Sequence, residues 1–346
     1  MRTVLAALLA IGLLTDAVRA ADARYNDIFR ECLRATHGAV IIARCGSVID
    51  TADAPDADKR RALQRRGVAY HTESNIERAI DDFTRAIELA PDETILYGLR
   101  GNTRMRARDY AGAAKDYSDA IARRPEEGVM HALRGNAHRL AGDYEAALRD
   151  FDAAIARQPN MLEAYLNRGS TYRALDRYDQ ALSDFERASA IDSRDPRPIA
   201  AAGRIRFFQG DFGAAAERFT AALNRQPGDV FNLGWRYFSV ARAGRDAKRD
   251  VAPLAQRLDR TRWPGPLLAL LFDEQLFEQV ELVARTRDPR ETAERLTDLY
   301  FFQGQLLVIA GKTTEARALF ERTLATGDRA PVSSLGAAVE LKRLPR

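Results

Sequence analysis

Small, aromatic and apolar residues recur along this chain at the same positions of a 34-residue period. The clearest copy runs from Gly128 to Met161, and its recurring positions hold Gly135, Tyr144, Ala147, Phe151, Ala154 and Pro159. One period earlier the same positions hold Gly101, Tyr110, Ala113, Tyr117, Ala120 and Pro125. Three further copies keep the glycine, the aromatic ring and the alanine, at Gly67, Phe83 and Ala86, at Gly169, Phe185 and Ala188, and at Gly203, Phe219 and Ala222.

Each period predicts two antiparallel helices. The glycine and alanine positions allow the two helices to approach closely, and the aromatic side chain fills the space between them. The closing proline begins the next helix after a turn. One pair of helices cannot bury its apolar face alone, so neighbouring pairs must stack.

The period and its residues resemble the tetratricopeptide repeat (TPR) family. The resemblance implies an all-α fold, a right-handed superhelical solenoid built from antiparallel helix pairs. It also implies that a protein or peptide partner binds on a concave surface, which the first helix of each pair lines.

The repeats divide the chain into four predicted segments. Residues 1–20 combine Arg2, the apolar run from Val4 to Leu14 and small residues up to Ala20, which is typical of a secretory signal peptide cleaved after Ala20. Residues 21–59 form a helical cap with a linker, and residues 60–228 hold five TPR repeats. Residues 229–346 hold degenerate repeats, one clear repeat near 297–328 and a C-terminal capping helix. We therefore expect an exported protein, periplasmic or secreted and soluble after cleavage; an uncleaved membrane anchor is the alternative.

The only two cysteines, Cys32 and Cys45, lie in the predicted cap. In an oxidising compartment such a pair predicts a disulfide. Closing a loop of this length should stabilise the fold by about 3 kcal/mol in the chain-entropy model. A metal or redox site is the alternative, but the pair lacks C-x-x-C spacing and neighbouring ligands.

An arginine and an aspartate recur together in the first four repeats. The arginines precede the glycine and the aspartates precede the aromatic residue, as Arg66 and Asp82, Arg100 and Asp116, Arg134 and Asp150, and Arg168 and Asp184. The fifth repeat loses both at once, with Ala202 and Arg218 in their places. Joint loss predicts a salt bridge between the two helices of each of the first four repeats.

The C-terminal part resembles bacterial periplasmic TPR proteins of the NlpI type. The residues that carry this resemblance are Trp263-Pro264, Tyr300-Phe301-Phe302-Gln303-Gly304 and Ala316-Arg317-Ala318-Leu319-Phe320. The resemblance implies an adaptor that recruits cell-wall hydrolases and their proteases, often as a homodimer. This sequence lacks the lipid-bearing cysteine of those proteins, so their outer-membrane anchoring is not expected here.

Composition and motifs favour a non-enzymatic protein. The 53 basic and 49 acidic residues give a net charge of +4, and the two signs interleave along the chain, unlike a nucleic-acid-binding surface. The four histidines lack metal-ligand spacing. The segment Gly311-Lys312-Thr313 lies between predicted helices rather than after a strand, which argues against a phosphate-binding loop. We predict no catalytic residue, metal, cofactor, nucleic acid or small-molecule substrate.

The predicted partner-binding groove lies on the first helices, just after the glycine position and one turn further on. Its residues are Asn102, Met105, Asn136, Arg139, Ser170, Arg173, Arg204 and Phe207. Asparagine can hydrogen-bond to a peptide backbone, and arginine can pair with carboxylates. A solvated polar face with no ligand is the alternative interpretation. A second functional hypothesis is a structural homodimer formed through the aromatic-rich region from Phe231 to Phe272.

Overall fold

The computed structural model describes residues 23–256, 258–273, 276–326 and 332–345. Helices joined by turns and short loops make up these ranges, and they contain no strand. The all-α class predicted from the repeat is therefore confirmed. The predicted signal peptide lies outside the described residues. Within the described ranges, every helix is too short or too polar to cross a membrane.

The chain divides into two compact units, and the first ends at Pro159. Its helices are α1 (residues 23–34), α2 (Gly38–Ile49), α3 (Asp56–Thr72), α4 (Ile76–Leu89), α5 (Thr94–Arg106), α6 (Tyr110–Arg123), α7 (Gly128–Ala141) and α8 (Tyr144–Arg157). The pairs α3–α4, α5–α6 and α7–α8 are the first three predicted repeats. Each pair packs side by side, and consecutive pairs pack against each other.

The second unit begins at Asn160 and holds the fourth and fifth repeats together with the degenerate region. Its helices are α9 (Leu162–Ala174), α10 (Tyr178–Ile191), α11 (Pro196–Gln209), α12 (Phe212–Arg225), α13 (Val230–Arg242), α14 (Ala247–Ala255), α15 (Leu267–Phe272), α16 (Phe277–Ala284), α17 (Pro289–Ile309), α18 (Thr313–Ala325) and α19 (Val332–Arg343). The boundary between the two compact units therefore falls at residues 159/160, between the third and fourth repeats. The sequence suggested a boundary at residue 228, where the regular repeats end. The reason is that the helices after 228 share one hydrophobic core with the fifth repeat.

A glycine and an aromatic ring face each other inside each regular repeat, as predicted. A Cβ atom added at Gly101 would lie 2.7 Å from Cε1 of Tyr117, and one at Gly135 would lie 2.9 Å from Cε1 of Phe151. The same contact joins Gly67 to Phe83, Gly169 to Phe185, Gly203 to Phe219 and Gly304 to Phe320. The two helices of a pair can approach this closely only because the glycine has no side chain.

The predicted salt bridges between the helices of each repeat are confirmed in all four repeats. The closest nitrogen–oxygen distances are 2.8 Å for Arg66 and Asp82, 2.7 Å for Arg100 and Asp116, 2.6 Å for Arg134 and Asp150, and 2.7 Å for Arg168 and Asp184. All four aspartates are buried. In the first repeat, the hydrogen bonds to Asp82 raise the pKa of the Arg66 guanidinium. These pairs hold the two helices of a repeat at fixed register.

A second set of arginines links consecutive repeats. Arg123 at the end of α6 donates from Nε to the carbonyl oxygen of Pro91 at 2.6 Å, and Arg157 at the end of α8 donates to that of Pro125 at 2.7 Å. Arg225 does the same for Ser193 in the second unit, at 2.8 Å. Each of these bonds ties the end of one repeat to the turn that closes the repeat before it.

The predicted disulfide between Cys32 and Cys45 is present. It joins α1 to α2, with a Cα–Cα distance of 4.7 Å, and both cysteines are fully buried. The guanidinium of Arg65 on α3 donates to the carbonyl oxygens of Cys32 and Ala35 at 3.2 and 2.8 Å. The stapled helices therefore pack onto the first repeat.

The aromatic residues of α13 form the core of the second unit. Trp235 and Phe238 are 3% and 0% exposed, and they pack against Phe301 and Phe302 of α17. The apolar run of α15 is buried in the same cluster. The sequence had suggested that the region from Phe231 to Phe272 forms a dimer interface. That interpretation is wrong for these rings, because the unit's own helices cover them.

Candidate partner-binding site

The second unit contains a cavity of ≈ 370 Å³ between the first helices of consecutive repeats. α11, α13, α17 and α19 and the turn before α13 supply its walls: Pro196, Arg197, Ala200, Arg204, Gln226, Asp229, Phe231, Asn232, Trp235, Asp298, Val332 and Ser333. Its volume falls within the range of roughly 300–1,000 Å³ that is usual for ligand sites. We call it the α11–α13 cavity.

Arg204 is the predicted groove residue that lies in this cavity. Among the described residues, its guanidinium makes no hydrogen bond or ion pair, and its Nε is buried without a partner. Burial disfavours the charged form and lowers the pKa of Arg204 to about 10, although the carboxylate of Asp229 partly offsets the effect. The side chain stays charged at neutral pH. The cavity therefore holds a cation that the chain does not neutralise by contact.

The other charged side chains of the cavity are engaged within the second unit. Arg197 pairs with Glu163 and Asp195, both at 2.7 Å. Asp229 caps α13 and accepts hydrogen bonds from the backbone and side-chain nitrogens of Asn232, both at 2.9 Å. Asp298 accepts a hydrogen bond from the hydroxyl of Ser333 at 2.7 Å.

The C-terminal helix α19 completes the wall of the cavity opposite α11. Glu340 is buried and pairs with Arg242 of α13 at 3.3 Å and with Arg343 at 2.9 Å. Arg343 also donates to the backbone carbonyls of Phe207 and Phe208 at the end of α11. These contacts fix α19 against the repeats, so Val332 and Ser333 are held at the cavity edge.

A second cavity, of ≈ 300 Å³, lies in the first unit between the stapled cap and α3. It is lined by Leu33, Ile41, Arg61, Gln64, Arg65 and Val68. Arg61, Gln64 and Val68 occupy the same positions of the 34-residue period as Arg197, Ala200 and Arg204. The two cavities thus use the same stripe of the first helix, at spacings of three and four residues that share one helix face.

We call the residues at these aligned positions of α3, α5, α7, α9 and α11 the cavity-lining stripe. In the second and third repeats it contains Ile95 and Val129, which are 51% and 47% exposed. Val68 in the first repeat is 41% exposed. Large apolar side chains at this exposure, at repeated positions, are typical of a surface that contacts another molecule.

The predicted groove residues separate into two groups. Those aligned with Val68 are Asn102, Asn136, Ser170 and Arg204; they belong to the stripe and are all at least partly exposed. Asn102 accepts a hydrogen bond from the hydroxyl of Tyr117 at 2.7 Å, and Asn136 accepts one from Arg139 at 2.8 Å. Both amide oxygens therefore already have a partner within the fold.

The residues one turn further on, Met105, Arg139, Arg173 and Phe207, line neither cavity. Phe207 is fully buried, with its ring 5.1 Å from those of Phe212 and Trp235, so its prediction as a groove residue is wrong. Met105 packs against the core of the first unit. Burial lowers the pKa of Arg139. This helical turn faces the neighbouring repeat more than the open surface.

The groove predicted from the sequence did not include the helical turns that precede the glycine position. Arg197 and Ala200 line the cavity seven and four residues before Arg204, and Ile95 and Val129 occupy the position of Arg197. The 34-residue alignment could have revealed them, because this position varies among arginine, isoleucine, valine and glutamate while the glycine position is constant. Phe231 and Asp298 could not be found this way, since their approach to α11 depends on how the degenerate repeats fold.

Comparisons with known proteins agree with the repeat. Models of the tetratricopeptide repeat match residues 61–93, 99–148 and 132–196. No curated protein matches the whole chain or part of it. The chain therefore contains tetratricopeptide repeats, a fold that serves as a scaffold for protein interactions and is generally not catalytic.

Solved structures show the same fold. A tetratricopeptide repeat protein from Parabacteroides merdae is similar over 81% of this chain and 98% of its own, with a TM-score of 0.55 and 15% identity. PilW, a type IV pilus biogenesis factor, covers 57% of this chain and 93% of its own, with a TM-score of 0.52 and 16% identity. PilF of Pseudomonas aeruginosa covers 64% and 99%, with a TM-score of 0.51 and 16% identity. At these identities the likeness concerns the fold.

Proposed function

We propose that this chain is an exported, non-enzymatic adaptor that binds protein or peptide partners through the cavity-lining stripe. The observation that carries the proposal is the repeated use of one helix face. The same positions line a cavity in the first and in the fifth repeat, and they present exposed apolar side chains between them. Ile95 and Val129 occupy the same position in consecutive repeats, so one partner can make the same apolar contact twice.

The proposal that the protein works outside the cytoplasm rests on two features. The N-terminal sequence has the charged, apolar and small-residue order of a secretory signal. The disulfide between Cys32 and Cys45 is of a kind that persists in oxidising compartments. The resemblance to NlpI-type proteins extends the proposal to a class of partner, the hydrolases and proteases that remodel the cell wall.

Self-association is the competing hypothesis, and part of its support is lost. Trp235, Tyr237 and Phe238 are buried in the second unit, whereas Phe231, Trp263 and Phe272 stay partly exposed. Sedimentation of the purified chain tests this hypothesis. A strict monomer would exclude a structural homodimer, whereas a stable dimer would support self-association.

Replacing an exposed residue of the stripe should remove partners without unfolding the protein. We expect Ile95→Glu to capture markedly less of the specific partners than the wild type from an envelope extract, quantified by mass spectrometry, because a charge at this position opposes apolar contact. Leu282→Glu is the matched control, since Leu282 is 73% exposed and lies on α16, a helix that contributes no residue to the stripe. Equal partner recovery by both variants, with unchanged circular dichroism, would exclude the stripe as the binding surface.

A further inference from the structure

We propose that the α11–α13 cavity binds an acidic side chain within an extended peptide segment of a partner protein. The peptide carboxylate pairs with Arg204, and an adjacent apolar side chain packs against Phe231. This inference rests on the proposed adaptor function and specifies the chemistry of the segment that is recognised.

The pairing of the charged side chains in the cavity points to an anionic group as the partner of Arg204. Arg204 is the one charged lining residue that lacks a contact partner among the described residues, whereas Arg197, Asp229 and Asp298 are all engaged. Asp229 is the nearest source of negative charge, but its two oxygens are held by Asn232 at the start of α13. Arg204 is partly exposed, but its Nε is buried without a partner, which costs free energy. A carboxylate that pairs with the guanidinium bidentately supplies the missing hydrogen bond.

The polar rim favours an acidic side chain over a chain terminus. Asp229, Asp298 and the exposed Gln226 place acceptor oxygens around the cavity. An internal acidic residue has a backbone N–H group on each side of it, and both can donate to these acceptors. A C-terminal carboxylate has the chain on one side only, so it offers fewer backbone N–H groups to these acceptors.

The apolar part of the lining explains why one ion pair would be selective. Phe231 and Val332 are partly exposed in the cavity, and the small side chain of Ala200 also lines it. A leucine-sized or aromatic side chain next to the acidic residue would cover these groups and exclude water from Arg204. Exclusion of water strengthens the ion pair, because the surrounding medium then screens the charges less.

The test displays short random peptides in two formats, one fused at both ends and one with a free C-terminus. Peptides that bind the full-length chain are then selected from each format. Enriched sequences are then synthesised with amidated ends, and their affinities are measured by fluorescence anisotropy. We expect enrichment of Asp or Glu beside an apolar residue in the format fused at both ends. Replacing that Glu by Gln should weaken binding to the wild type at least about tenfold, the usual effect of losing a charged hydrogen bond.

Three variants of α11 assign the effect to the cavity. Arg204→Gln and Arg204→Met should both lose the preference for Glu over Gln, and two different replacements guard against a folding defect in either one. Arg206→Gln is the matched control on the same helix, because Arg206 contacts only the nearby Gln209, at 3.4 Å. It should bind as the wild type does.

Each outcome separates the two proposals. Enriched peptides without acidic residues, or an acidic preference that survives in both Arg204 variants, would overturn this inference and leave the adaptor function standing. Enrichment confined to peptides with a free C-terminus would also overturn it, in favour of terminal-carboxylate recognition. A failure to enrich any peptide in either format would count against the adaptor function itself.

Discussion

The variant Asp82→Ala should lose about 3–5 kcal/mol of unfolding free energy, the usual cost of removing one partner of a buried ion pair. Asp82 is 1% exposed, and its two oxygens accept hydrogen bonds from Nε and Nη2 of Arg66 at 2.9 and 2.8 Å. Without them, a guanidinium that is largely enclosed would keep its charge and lose its partner. Urea unfolding followed by circular dichroism measures the effect.

The neighbouring aspartate provides the control for this loss. Asp81 lies on the same helix, its side chain is 69% exposed, and its only contact with Arg85 is at 3.9 Å. Asp81→Ala should change the unfolding free energy by less than about 0.5 kcal/mol. The double variant Arg66→Met with Asp82→Leu should recover most of the loss, because it removes both charges. Equal effects of the two alanine variants would show that the interhelical pair does not stabilise the repeat.

Removing the disulfide should lower the stability of the N-terminal part by about 3 kcal/mol, as expected for a loop of this size. The paired variant Cys32→Ala with Cys45→Ala opens the link between α1 and α2, whose short apolar faces otherwise depend on packing against α3. In a repeat protein each unit depends mainly on its neighbours. We therefore expect faster proteolysis of α1 and α2, detected by mass spectrometry of a limited digest.

The distribution of the effect along the chain checks this explanation. Cleavage in α17 and α18, which lie in the second unit, should be as slow as in the wild type. A digest in which both regions are cleaved at wild-type rates would mean that packing alone holds the cap. Uniformly faster cleavage along the chain would mean that the disulfide stabilises more than its own segment.

The regular repeats could be predicted from sequence because their determinants are local. Gly101 and Tyr117 are sixteen residues apart, as are Arg100 and Asp116. All five regular repeats reproduce the glycine–aromatic contact, and the first four reproduce the ion pair. The repeats can also be compared with one another within the chain. The arginine and the aspartate are both replaced in the fifth repeat, which indicated that the two side chains interact. The disulfide could be predicted because the sequence contains only two cysteines, so a single pairing is possible.

The candidate site was only partly predictable, for a physical reason. Arg204 was found because it directly follows the glycine of the fifth repeat, at the position assigned to the groove. Phe207 was misassigned because the ring of Trp235, supplied by the next helix pair, covers it. Asp298 lies about one hundred residues from Arg197, and it reaches the cavity through the packing of α17 in the degenerate region, where the 34-residue register no longer applies.

Structure and recognition thus use different positions of the same repeat. The glycine, the aromatic ring and the Arg–Asp pair set the packing of each helix pair and are nearly constant. The cavity-lining stripe changes from Arg61 to Ile95, Val129, Glu163 and Arg197 at a single aligned position. Such variation on a constant frame lets one fold present different chemistry along its length.

Site-specific photo-crosslinking tests most directly whether partners bind at the α11–α13 cavity. A p-benzoylphenylalanine residue replaces Gln226, an exposed residue at the cavity rim, or Asn224, an exposed residue two positions earlier that does not line it. With a bound peptide selected on the full chain, we predict efficient crosslinking from position 226 and little from position 224. Crosslinking from position 224 but not from 226, or from neither position while the peptide is bound, would contradict the assignment of the cavity as the partner site.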